Sequence, residues 1–543
     1  MSQHDTCGFS TLAIHAGKIK DAFGALTPPI YQTSTFEFES CQHGGDIFAG
    51  KRAGYAYSRT ANPTVMAVEQ KVAAMEGGEA ALATSSGMGA ITSLIWSIVS
   101  TGDHIVADKT LYGCTYEFLA HHLRRMGVNV DFIDTSDEDA LKNALKPETK
   151  IVYLETPANP NMKITDLRKV SDFVHGHNSA IKVVCDNTFA TPYLQNPLRE
   201  GADAVVHSAT KYINGHGDLL AGFVISDAET VMKARMVGVK DMTGSVLAAN
   251  EAFLIMRGLK TMELRMERHC ASAMKIAEFL ESCPKIEKVL YPGLKSHVGH
   301  EVAARQMHHG FGGMVSFVVS GGKEQAAKFV DSLELCTLAV SLGDAETLIE
   351  HPASMTHSTY SPEELADAGI PEGLVRLSVG LENVEDILAD LEKGIQAIDF
   401  LLGRQEVGEN VTIIGGGLTG CEIAYDLYLH GKKPTIVEMK DDLIAVKGVC
   451  LANSSYLRDF FKANKVPVHL ETSLKEIQDD GVLVKDKNGM EYKIPADSVI
   501  LSVGYKPNPL AQKDKHIHIV GDASHVGNLR TVIWQAWDVC MKL

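Results

Sequence analysis

The sequence predicts an α/β protein: a mostly parallel sheet flanked by helices, followed by a second α/β unit with its own strand–loop–helix start. Three observations carry that expectation. Between residues 60 and 260, helical patterns alternate with short β-branched runs at 104–107, 128–133, 150–154, 182–185, 204–207 and 222–225, the rhythm of parallel strands joined by helices. The chain has 543 residues, too many for one ordinary domain. A polar stretch, GRQEVGEN at 403–410, is followed at 411 by a fresh strand and a glycine-rich loop.

Taken in order, residues 1–60 are irregular and rich in Gly, Pro, Ser, Thr and aromatics, ending in GYAYSRTANPT. They read as an arm. From 80 to 102 no residue is charged, about the ~20 residues that span a bilayer. Yet the stretch contains Thr84, Ser85, Ser86, Gly87, Gly89, Thr92, Ser93, Ser97 and Ser100. That is too polar for lipid, so a buried helix is expected, starting near Ala90. Residues 61–260 form the sheet domain. Residues 261–402 form a smaller domain, with long helices, strands at 313–319 and 374–379, and a last helix from 384. Residues 404–543 make the appended module.

Composition narrows the class. Lys and Arg total 51 against 68 Asp and Glu, a net charge of −17, which gives no electrostatic reason to hold a nucleic acid or an anionic membrane. Hydrophobic residues are 45% and charged residues 22%, an ordinary globular balance. The ten cysteines are scattered with no C-x-x-C pair, so neither a zinc or other metal site nor a disulfide framework is expected. The first residues show no basic segment followed by an apolar one. A cytoplasmic enzyme is the expectation.

The chemistry concentrates at strand ends, where open α/β sheets place ligands. The run 182–185 stops at Asp186, and 204–207 leads into Ser208-Ala209-Thr210-Lys211, so a carboxylate and a lysine 25 residues later can face one crevice. Ser85-Ser86-Gly87-Met88-Gly89 opens a helix and offers free backbone N–H groups to a phosphate. Hydroxyls at Ser208 and Thr210 can add donors. A lysine nucleophile, a carboxylate for a ring nitrogen and a phosphate cradle are together what pyridoxal 5′-phosphate requires. At 374–380, alternation puts Val375, Leu377 and Val379 on one face and Arg376 with Ser378 on the other. Arginine's planar fork suits a carboxylate.

Longer motifs extend these pieces: YAYSRTANPT at 55–64, SSGM at 85–88, LYGCT at 111–115, ETPANP at 155–160 and VCDNT at 184–188. SATKY at 208–212, VSLGDAET at 340–347, HPASMTH at 351–357 and VRLSVG at 375–380 complete the set. With them, residues 1 to about 400 resemble the Cys/Met-metabolism family of pyridoxal-phosphate enzymes, of fold type I. The resemblance implies a large α/β domain plus a smaller one, and an amino-acid substrate. It implies that Lys211 forms the Schiff base and shuttles protons, and that Asp186 pairs with the pyridine nitrogen. Tyr112 would stack on the ring and protonate a departing sulfur. Ser86, Gly87, Met88, Ser208 and Thr210 would hold the phosphate. Tyr57 and Arg59 would reach the phosphate of a neighbouring subunit, in a homo-oligomer expected to be a tetramer of active-site dimers. Arg376, Ser341 and Asn159 would bind the substrate carboxylate. Relatives catalyse γ-elimination, β-elimination or γ-replacement. Cys114, beside Tyr112, and Lys240-Asp241 resemble the members that eliminate methanethiol from L-methionine. Cleavage of cystathionine and sulfhydrylation of O-acetylhomoserine are the alternatives within the family.

The second constellation is VTIIGGGLTG at 411–420. Gly415, Gly417 and Gly420 form G-x-G-x-x-G after a strand, and Glu438 ends the next strand 18 residues later. That is the dinucleotide fingerprint, with the acid on the ribose, and it favours NAD(H) over a 2′-phosphate form. Residues 404–543 resemble the NAD-binding module of flavin-dependent enoate and dienoyl-CoA reductases. Their resemblance places Asp522, in IVGDA at 519–523, on FAD. The separate FAD-binding glycine fingerprint of those reductases is missing here, which argues against FAD. An NADH-dependent flavin oxidoreductase is the alternative from another enzyme class.

Overall fold

The computed structural model describes residues 7–19, 21–356, 358, 363, 365, 369–401, 408–445, 451–478 and 480–502. The chain divides into two compact units between residues 404 and 405.

In the first unit, seven strands form one sheet: β1 Ala80–Thr84, β2 His104–Asp108, β3 Asn129–Ile133, β4 Thr149–Glu155, β5 Lys182–Asp186, β6 Ala204–Ser208 and β7 Gly222–Ser226. Their order is β1-β7-β6-β5-β4-β2-β3. β2 to β6 run parallel, and β7 is antiparallel to β1 and β6. Strands β2, β4, β5 and β6 are apolar and buried on both faces, as parallel strands under helices must be. Parallel pairing brings their C-terminal ends to one edge. That edge carries Asp108, Glu155, Asp186 and Ser208.

The buried helix expected from near Ala90 is present, and the strand before it, at 80–84, went unread. Residues 80–84 pair with β7, Ala80 opposite Ser226 and Thr84 opposite Gly222, and the helix runs only from Gly87 to Ile98. AALAT has no β-branched run until Thr84, so pairing with a neighbour decides its state. The helix starts at Gly87 because the Ser86 side chain accepts the Gly89 N–H at 3.0 Å.

The smaller sheet has the order β10-β11-β12-β9-β8, with β8 Ile286–Leu290, β9 Met314–Val319, β10 Thr337–Leu338, β11 Leu348–Glu350 and β12 Leu374–Ser378. β9 and β12 match the expected strands. The other three are short or broken in pattern, and their pairing makes them strands. Helices Met262–Glu281 and Val384–Leu401 contribute apolar residues to the core on this sheet.

The second unit holds a parallel sheet, β15-β14-β13-β19, and an antiparallel meander, β16-β17-β18. Its strands are β13 Asn410–Ile414, β14 Lys433–Val437, β15 Val468–His469, β16 Thr472–Gln478, β17 Gly481–Asp486, β18 Glu491–Pro495 and β19 Ser498–Leu501. The meander went unread, although Asn488-Gly489 is a hairpin signal. Asp486 accepts the Asn488 and Met490 N–H groups there at 2.9 and 2.8 Å. No helix among the described residues is long and apolar enough to cross a membrane.

One buried pair anchors the large sheet. Glu76, the last residue of helix Pro63–Glu76, meets His207 Nε2 at 2.8 Å and accepts Asn187 Nδ2 at 3.2 Å. Glu76→Ala leaves buried His207 Nε2 without its partner and Asn187 with only the Gln195 carbonyl as acceptor for its amide. It is expected to cost about 3 kcal/mol or more of stability, read as a lower urea midpoint at unchanged slope.

Candidate active site

Lys211 follows β6 in a turn closed by its own N–H on the Ser208 carbonyl at 3.2 Å. Its ammonium donates to Ser341 Oγ at 2.9 Å. Burial lowers its pKa and the Arg376 charge adds to this, while Asp344 and Glu350 oppose. The amine is therefore freed of its proton more readily than an exposed lysine, as a nucleophile needs.

Asp186 ends β5 and accepts the Thr188 N–H at 3.0 Å and the Thr188 hydroxyl at 2.6 Å. Burial pushes its pKa up, against the pull of those bonds and of His207. A protonated ring nitrogen would supply the countercharge this carboxylate lacks. Glu155 stands beside it, in register across β4 and β5. Its pKa is driven well up by burial and by the Asp186 charge. Glu155 accepts the backbone N–H of Tyr112 at 2.8 Å and of Asn159 at 3.4 Å, so one carboxyl holds two loops of the site. It escaped the sequence reading, yet the signal was present: a carboxylate at the end of a parallel strand, as at Asp186.

The phosphate cradle is built from the helix start. Ser86 occupies the Gly89 N–H, which leaves the Gly87 and Met88 N–H groups with no acceptor among the described residues. A Cβ at Gly87 would lie 2.8 Å from Ser208 Cβ and 3.1 Å from its Oγ, so only glycine brings the two loops this close. Thr210 is more committed: its hydroxyl accepts the Ala221 N–H at 3.1 Å. These groups fit pyridoxal 5′-phosphate: unpaired N–H donors for the phosphate, a buried carboxylate for the ring nitrogen, and a lysine of lowered pKa between them.

Arg376, 5% exposed, points away from the apolar face of β12 as expected. Its guanidinium donates to Asn159 Oδ1 at 2.9 Å and to the Ser341 carbonyl at 3.0 Å, and meets Glu350 Oε1 at 3.0 Å. Its buried Nε has no partner among the described residues, an orphaned donor suited to a carboxylate. Ser341 sits at φ +131°, a strained position for a side-chain-bearing residue, and bonds both Lys211 and Arg376. Glu350, opposite Arg376 across β11 and β12, was also missed.

Tyr112 is half-exposed, and the Cys114 thiol donates to its hydroxyl at 3.4 Å. Burial and then Cys114 raise its pKa, so the phenol stays protonated and available as a donor. Tyr57 and Arg59 are not part of this assembly within one chain. Both lie exposed on the arm, with the Arg59 guanidinium 5.4 Å from the Tyr57 ring centroid.

In the second unit, Gly415 has φ +115°, Gly417 caps helix Leu418–Leu429, and a Cβ at Gly420 would lie 2.0 Å from the Gly415 carbonyl oxygen. This is the close loop–helix packing of a dinucleotide site. Glu438 directly follows β14, but its carboxylate accepts the Gly416 N–H at 2.6 Å and the Lys440 N–H at 2.8 Å. It braces the loop, while keeping lone pairs for a ribose hydroxyl. Asp522 lies outside the described residues.

Residues 10–396 match the model of the Cys/Met metabolism PLP-dependent enzymes, and 377–528 that of the pyridine nucleotide-disulphide oxidoreductases. The L-methionine gamma-lyase of Treponema denticola is 59% identical over 395 residues, covering 73% of this chain and 98% of that protein. The L-methionine gamma-lyase of Fusobacterium nucleatum subsp. polymorphum is 58% identical over 391 residues, covering 72% and 98%. Among solved structures, a putative O-acetylhomoserine (thiol)-lyase from Campylobacter jejuni, with N'-pyridoxyl-lysine-5'-monophosphate, is similar with a TM-score of 0.69 at 33% identity. It covers 72% of this chain and 100% of its own.

Arg376→Lys keeps the charge and removes the fork. The expected result is a substrate KM raised about 100-fold, with the cofactor's visible absorption retained.

Proposed function

The chain belongs to the Cys/Met-metabolism family of PLP-dependent enzymes, and from that premise we propose that it cleaves L-methionine with water to methanethiol, 2-oxobutanoate and ammonia. The observation that carries the choice of substrate is the Cys114 thiol on the Tyr112 hydroxyl, at the mouth of a site that ends in Arg376. Identities of 58% and 59% to two L-methionine gamma-lyases support it. A cystathionine gamma-lyase of Bacillus subtilis is more distant at 44%.

Bound pyridoxal 5′-phosphate supplies an electron sink that acidifies the substrate's α-hydrogen. Gly87 and Met88 N–H groups with the Ser208 and Thr210 hydroxyls hold the phosphate, and Asp186 holds the ring nitrogen. Arg376, braced by Glu350 and Asn159, fixes the substrate carboxylate, which aims Cα at Lys211. Lys211 removes the Cα proton, and a second proton leaves Cβ. Tyr112, kept protonated by its raised pKa, donates to the sulfur as the Cγ–S bond breaks. Water then releases ammonia and the oxo acid.

Tyr57 and Arg59 complete the phosphate site of a neighbouring copy, which makes the working form a homo-oligomer, taken as a tetramer. The enzyme is assigned to the cytoplasm on its widely spaced free cysteines. The second unit takes NAD(H) rather than FAD, on the Gly415–Gly420 loop and Glu438.

Four measurements decide these points. Lys211→Ala is expected to abolish both elimination and the yellow colour, and Tyr112→Phe to lower kcat by about 100-fold or more. Rapid sulfide replacement on O-acetylhomoserine without release of methanethiol from methionine would overturn the substrate choice. Co-expressed Lys211→Ala and Arg59→Ala chains, each inactive, are expected to recover part of the activity through mixed sites; no recovery refutes the shared site. NADH is expected to bind the full chain at least tenfold more tightly than NADPH, in a fluorescence titration, with the difference lost in Glu438→Gln.

A further inference from the structure

Outside the pyridoxal site, the arm crosses helix Pro63–Glu76 at Gly17, where φ is +68°. A Cβ there would stand 2.0 Å from the Ala67 carbonyl oxygen and 3.0 Å from the Lys71 nitrogen. Glycine alone lets the arm lie this low on the helix. Between the arm, that helix and helix Ala249–Leu259 lies a cavity of about 390 Å³, within the roughly 300–1,000 Å³ of small-molecule sites.

Four cationic side chains line it: Lys18, Lys71, Arg257 and Lys260. No acidic side chain lines it, and none of the four forms an ion pair among the described residues. The chain as a whole carries a net charge of −17, so four cations around one cavity with no acid in its lining are a local reversal of sign. Lys71 is 3% exposed, and its ammonium donates to the Ala13 carbonyl at 2.7 Å, leaving two N–H groups for another acceptor. Burial, followed by the Lys260 charge, pulls its pKa down to about 8. A buried ammonium beside a second cation, with no carboxylate near, is an unmet electrostatic demand. Leu26, Pro28, Phe253 and Met256 supply an apolar wall.

We propose that this cavity is a second binding site, for a small polyanion bearing phosphate or carboxylate groups, held by Lys18, Lys71, Arg257 and Lys260. The ligand's charges replace the missing carboxylates, and its body packs on the apolar wall. Lys18, Lys71 and the Arg257–Lys260 pair stand far apart in sequence, so only the arm's path over two helices assembles them.

The test uses the full-length, cofactor-loaded enzyme, in which the pyridoxal phosphate cradle is already filled. Titration calorimetry with inorganic pyrophosphate, and separately with citrate, is expected to show one saturable site per chain. Arg257→Gln and Lys260→Gln, both exposed and safe for folding, are each expected to weaken binding about tenfold. Lys71→Met is expected to weaken it further, and Lys295→Gln, an exposed lysine elsewhere, to leave it unchanged. The anion should raise the melting midpoint of the native chain and not of the Arg257→Gln/Lys260→Gln double variant. Binding of pyrophosphate alone selects phosphates, and binding of citrate alone or of both selects carboxylates or charge in general; each supports the site. Absence of binding by both anions, or equal binding by the double variant, overturns it.

Discussion

A guanidinium buried to 5% exposure tolerates few arrangements, and Arg376 organises the active site around that constraint. Its charge must be matched, and Glu350 meets it at 3.0 Å across neighbouring strands. Its donors must be filled, and Asn159 and the Ser341 carbonyl take two of them. Each partner brings another part of the chain: Asn159 the loop after β4, Ser341 the segment that holds Lys211. Its buried Nε faces no acceptor among the described residues. The small sheet, the large sheet and the reactive lysine are thus joined through one side chain that keeps a buried donor for a carboxylate.

The other half of the site rests on crowding of like charges at the edge of the parallel sheet. Glu155 and Asp186 end adjacent strands in register, and burial raises both. Unbalanced, such a pair would be costly. Glu155 is eased by the N–H groups of Tyr112 and Asn159, Asp186 by Thr188. The same bonds that stabilise the carboxylates therefore fix Tyr112 and orient the substrate pocket. A cationic ring nitrogen would complete the balance at Asp186, so affinity for the cofactor and relief of repulsion act together.

Much of this was legible in the sequence because it is local. Lys211 and Asp186 end apolar runs of strand length, the glycine loop precedes a helix, and Arg376 stands opposite three apolar residues on one strand. The fingerprint at Gly415–Gly420 was legible for the same reason. What escaped depends on pairing between distant segments. Residues 80–84 went unread as a strand because nothing local marks them as one; β7, some 140 residues later, makes them one. Glu350 and Glu155 went unread because their importance lies in partners at 376, 112 and 159.

By itself, then, the sequence determined which reactive groups exist and on which local element each sits, because strand ends, caps and glycine loops are encoded within a few residues. Tertiary structure decided their electrostatic state and their neighbours: the lowered pKa of Lys211, the thiol on Tyr112, the orphaned Nε of Arg376, and the four unmatched cations beneath the arm. Burial and charge compensation are properties of segments brought together from across the fold, and no short window of sequence contains them.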